Sequence, residues 1–176
     1  MKKGIIIILT FLTSACAVTV KTYQKPDQSF DSFETWCWLK GCEITYQGPD
    51  HLYSQKVIDE IANAVAYNMH QKGYRQEDDS SDLMVNFFMI LKEDSMEIDD
   101  SYDDGFIPEI GWLDRMHPEY QKFLKGSLVI DVIDREQSEL IWRSNAIRYL
   151  ETNPIYDRDM IWSGVEKAMK KLPGKE

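Results

Sequence analysis

The chain has 176 residues, 43% of them hydrophobic and 12% aromatic, with a formal net charge of −10. Its length fits one domain plus a short leader, and its composition is that of a globular chain rather than a disordered one. So acidic a body is repelled by nucleic-acid phosphates and by anionic lipid headgroups, which argues against nucleic acid as a partner and leaves no basic patch to hold a membrane.

Met1-Lys2-Lys3 is a short positive segment, and the stretch from Gly4 to Leu12 is apolar. A bilayer-spanning helix needs about 20 apolar residues, so residues 1–15 predict a signal peptide rather than an anchor. Leu12-Thr13-Ser14-Ala15-Cys16 resembles the bacterial lipobox, with Thr13 where Leu, Val or Ile is usual. The resemblance implies cleavage before Cys16 and lipidation of that cysteine by a thioether-linked diacylglycerol and an N-acyl chain such as palmitate. Ala15-Cys16-Ala17 also fits ordinary small-x-small cleavage after Ala17, which would release a soluble periplasmic form. Cys16 is followed by Ala17, not by the Asp that resembles an inner-membrane retention signal, and no acidic run of a surface-export type follows. The expected address is the periplasmic face of the outer membrane, reached through lipid on Cys16.

Residues 16–29 read as a lipidated tether whose extended-type residues can supply a first strand. Phe30 to Trp38 alternates and is aromatic-rich, which predicts a strand. Cys37 and Cys42 lie five apart in an oxidising compartment, where a bond between them would close a turn at Gly41 and contribute about 2 kcal/mol. The alternative is two half-buried thiols. Gly48-Pro49-Asp50 predicts a turn with Asp50 capping a helix. From Leu52 to Lys72 the residues Ile58, Ile61, Val65 and Met69 share one helical face, and Gly73 supplies the stop. Leu83 to Leu91 is apolar at both parities, as an interior strand covered on both sides would be. Residues 93–125 predict a long irregular loop. Ser127 to Asp134 and Glu139 to Leu150 predict a hairpin joined by residues 134–138. Tyr156 to Leu172 repeats the amphipathic pattern through Ile161, Val165, Ala168 and Leu172, and Pro173-Gly174 ends it. The expected architecture is a single α+β domain over 30–173, a mostly antiparallel sheet of about four to five strands with two amphipathic helices packed on it.

Phe30, Phe33, Thr35 and Trp38 resemble the aromatic first block of the bacterial lipoproteins grouped as domain of unknown function 4136. Lys72-Gly73-Tyr74, Asp82-Leu83-Met84-Val85, the run from Lys125 to Asp134, and Leu140-Ile-Trp142-Arg143 resemble the blocks that follow, with Ser144 where a Gly is common. The resemblance spans about 30 to 173. It implies an α+β fold and an envelope address, and it brings no activity, cofactor or catalytic residue.

No catalytic, cofactor or metal motif stands out. Asp99 to Gly105 is acid-rich, but Tyr102 occupies the third position of a loop begun at Asp100 and Gly111 the twelfth, so the calcium-loop pattern fails. His51, His70 and His117 are isolated, and no Ser or Cys sits in a nucleophile context. The loop aromatics Tyr102, Phe106, Ile110, Trp112 and Tyr120 either fold back as core or form an apolar surface for an envelope protein or an apolar ligand. Three functions follow in order: a non-enzymatic binding or assembly module using that loop, a carrier of a small apolar or lipid ligand between sheet and helices, and last an envelope hydrolase. An apolar cavity would favour the carrier.

Overall fold

The computed structural model describes residues 18–39, 46–77, 80–95 and 122–175. Seven strands form one sheet: β1 (Thr19–Gln24), β2 (Thr35–Trp38), β3 (Tyr46–Gln47), β4 (Arg75–Gln76), β5 (Leu83–Ser95), β6 (Lys122–Asp134) and β7 (Glu139–Leu150). Two α-helices, α1 (Gln55–Gln71) and α2 (Arg158–Met169), and a 3-10 turn complete the described elements. The α+β layering is as expected, but the expected sheet of four to five mostly antiparallel strands is overturned. The order is β1-β7-β6-β5-β2-β4, with β3 also on β5, and the sheet is mixed. β5, β6, β7 and β1 pair antiparallel, whereas β2 runs parallel to both β5 and β4, and β3 runs parallel to β5. The parallel part follows from connectivity, since α1 intervenes between β2 and β5 and brings the chain back in the same direction.

Pairing register shows which side chains share a face. Leu83, Val85, Phe87 and Met89 of β5 stand opposite Asp134, Val132, Ile130 and Leu128 of β6, and the last three stand opposite Trp142, Ser144 and Ala146 of β7. These apolar residues pack with Val57, Ile58, Ile61, Val65 and Met69 of α1 and Val165, Ala168 and Met169 of α2, so both helices cover one face. Burial of each large apolar side chain contributes roughly 1.5–3 kcal/mol. β6 and β7 slip register between Val132 and Ile133, leaving Ile141 with no opposite residue on β6, and its side chain is fully buried. On the opposite face Met84, Phe88 and Ile90 are half-buried, while Tyr23 and Tyr149 are exposed.

The helices start differently from one another. Asp50 does not cap α1; it opens a 3-10 turn over Asp50–Leu52, and Ser54 precedes the helix without a side-chain cap bond. Asp157 does cap α2, its Oδ1 accepting from the Met160 amide at 2.6 Å. The helices meet where Trp162 Nε1 donates to Glu60 Oε2 at 2.9 Å, with the Arg158 guanidinium 4.7 Å from the Trp162 ring centre. Residues 19–24, within the expected tether, form the edge strand β1 beside β7.

Candidate functional site

The segments that resemble the family's blocks meet as three clasps. Asp82, just before β5, accepts at Oδ2 from the amides of Glu34 (2.7 Å) and Thr35 (2.9 Å) and from the Thr35 hydroxyl (3.0 Å). Its own amide donates back to Thr35 Oγ1 at 3.0 Å. Burial pushes the Asp82 carboxyl up, but these bonds and the Lys175 charge outweigh it and hold the carboxyl below its ordinary range. Gly73, at φ +88°, ends α1, and a side chain there would meet Lys175. On either side Lys72 Nζ donates to the Leu172 carbonyl (2.6 Å), Tyr74 Oη to the Pro173 carbonyl (2.9 Å), and the Lys175 amide to the Lys72 carbonyl (2.8 Å). Burial, with Asp31 nearby, pushes the Tyr74 phenol up to about 12. The third clasp is a two-bond fork, both bonds 2.6 Å, from Arg143 of β7 to Asp131 of β6. Each joins elements and none is aimed at a ligand.

Most residues singled out from sequence lie elsewhere. Cys16, Cys42, Tyr102, Phe106, Ile110, Trp112, Tyr120 and His117 are outside the described residues. Cys37 is a buried free thiol on β2, on the face opposite Trp36. His51 and His70 are exposed. Among the described residues no group of His, Cys, Asp and Glu is placed to hold a metal ion, and no helix is long and apolar enough to cross a membrane. A polar cleft at the β6–β7 turn includes Asp82 and Asp134, but both carboxylates hold backbone, Asp134 through the Gln137 amide at 3.0 Å.

What the fold does create is an apolar pocket between the two layers. Met89 and Leu91 of β5, Leu128 of β6 and Ala146 of β7 form its floor, and Val57 and Ile61 of α1 with Met160, Ile161 and Val165 of α2 form its roof. Its volume is about 120 Å³, close to the roughly 150 Å³ apolar cavity that stays dry and binds benzene. Two glycines help to keep it open. Gly126 of β6 places no side chain on the floor, and a Cβ on Gly164 in the middle of α2 would meet nothing within 4 Å. A glycine inside a helix costs about 1 kcal/mol relative to alanine, so Gly164 leaves space at a cost in stability.

Two long polar side chains reach this wall. Arg148 Nε and the Tyr156 hydroxyl are buried, and neither has a hydrogen-bond partner among the described residues. Burial, reinforced by Tyr46, raises the Tyr156 phenol above its ordinary value, so the group stays protonated and able to donate. Sequence reasoning passed over Arg148, although its signal was present: Trp142, Ser144, Ala146 and Arg148 have one parity, which puts a cation on the helix-covered face of β7. Tyr156 and Gly164 carried no comparable signal.

A mixed sheet with two helices on one face and an apolar pocket between the layers defines a two-layer α+β domain. The chain belongs to the family described as Domain of unknown function (DUF4136), whose model matches residues 20–174. No curated protein matches it. Similar solved structures include a point variant of the PelC dodecamer from Paraburkholderia phytofirmans, at 10% identity and TM-score 0.51, with 91% of this chain and 100% of that chain covered. The PelC dodecamer of the same organism is similar at 9% and 0.52, over 91% and 100%. A PDZ domain protein from Parabacteroides distasonis is similar at 15% and 0.53, over 89% of this chain and 36% of that one. At these identities the likeness is one of fold.

Proposed function

We propose that the chain is a non-catalytic lipoprotein of the cell envelope, held to the periplasmic face of the outer membrane by lipid on Cys16, whose folded body binds a small apolar molecule between sheet and helices. The pocket under α2 carries the binding half of this reading: it is apolar, it has room for a ligand, and a mid-helix glycine keeps that room. The leader and the resemblance of residues 12–16 to a lipobox support the address. The aromatic loop, the other candidate surface, lies outside the described residues and offers no geometry to weigh against the pocket.

The test uses the full chain in isolated membranes and a neutral alkyl diazirine as photolabel. Labelled peptides should come from β7 and α2, and Gly164→Leu, which places a side chain in the pocket, should cut their yield severalfold. Unchanged labelling in that variant overturns the pocket as the binding site.

A further inference from the structure

The pocket that serves the proposed function has one chemical asymmetry. Its wall is apolar apart from Ser127, Arg148 and Tyr156, and the last two carry buried donors, Nε and Oη, that have no hydrogen-bond partner among the described residues. A buried donor without an acceptor costs roughly 1–3 kcal/mol, and a charged one costs more, so an acceptor brought to these two side chains would relieve that cost. We infer that the ligand is a single-chain carboxylate, a free fatty acid whose head accepts from Arg148 and Tyr156 and whose chain lies between sheet and helices.

Three observations select this class, given the pocket reading on which the inference rests. Charge is the first: Arg148 is a fixed cation, and its planar fork matches a carboxylate. Tyr156, held in its neutral form, adds a donor for the second oxygen. Size is the second. About 120 Å³ is room for part of one acyl chain. The third is position along the chain. Val18 lines the pocket and lies two residues from Cys16, a separation that extended chain spans in at most about 7 Å. With Cys16 lipidated, the pocket therefore sits at the membrane surface, where single-chain carboxylates released from lipids are found.

The experiment compares three diazirine-labelled amphiphiles of equal chain length on the full chain in membranes: the carboxylate, the primary alcohol and the lysophospholipid. The carboxylate should label the β7 and α2 peptides roughly tenfold more than the alcohol, the usual scale of a hydrogen bond to a charged group. Arg148→Met keeps the side-chain stem and removes the donors, so the preference should vanish while labelling by the alcohol persists. Tyr156→Phe should reduce the preference, and Arg148→Lys should restore only part of it. Equal labelling by carboxylate and alcohol, or a preference that survives Arg148→Met, overturns the carboxylate assignment and leaves the pocket standing. Stronger labelling by the lysophospholipid overturns it in favour of a phosphate head. Failure of all three to label the pocket sinks the binding reading itself.

Discussion

Asp82 shows how much one carboxylate can hold. Its three accepted bonds fix the start of β2 against the start of β5, and bonds to a charged acceptor contribute roughly 1.5–3 kcal/mol. Asp82→Ala should cost about 2 kcal/mol in urea denaturation. The pH dependence has a definite sign. A carboxyl held below its unfolded value of about 3.9 contributes above that pH, and its contribution is lost as pH falls through the lower folded value. Acid unfolding of the native chain should therefore steepen below about pH 4, and the Asp82→Ala variant should lack that component. Ser144 makes the opposite case. Its hydroxyl is fully buried and has no partner among the described residues, so Ser144→Ala should raise stability by about 1 kcal/mol. A lower urea midpoint in that variant would refute the claim.

At the scale of elements, Asp131 and Arg143 lock β6 to β7 on the face away from the helices. Asp131 is buried while Arg143 is half exposed, so removing the arginine strands a carboxylate. Arg143→Ala should be more destabilising than the double change Asp131→Val with Arg143→Thr, because losing both partners leaves no unpaired charge. Chemical denaturation of the two variants decides the point. The elements themselves were unequally legible. α1, α2 and the β6–β7 hairpin announce themselves through periods of 3.6 or 2, and β5 through a continuous apolar run. β3 and β4 have two residues each, too few to show any alternation, and exist because a neighbouring edge accepts them. That β2 joins β5 in parallel is a consequence of where α1 packs, which no local pattern encodes. The pocket was readable only in part: the inward parity of Arg148 is visible along β7, whereas the space beside Gly164 depends on how α2 crosses the sheet.

Taken whole, the molecule combines a strongly acidic charge with an apolar recess, and its proposed hold on the membrane rests on a single residue. Cys16→Ser should release the protein from membranes and abolish lipid labelling; retained attachment would refute lipidation. On that proposal, raising the salt concentration should not strip the native protein from anionic vesicles, because a net charge of −10 offers no attraction for salt to screen.

The clasp around Gly73 also bears on when this domain can fold. Lys72 and Tyr74 find their acceptors on Leu172 and Pro173, and Lys175 returns a bond to Lys72, so the end of α1 is finished only by residues about a hundred positions later. β1, at the other end of the described chain, pairs with β7 over a similar separation. Contacts this distant in sequence are slow to close. A chain lacking residues 172–175 leaves Lys72 and Tyr74 without these acceptors and the end of α1 without its clasp. The fold is therefore finished only when the residues after α2 are in place against the end of α1.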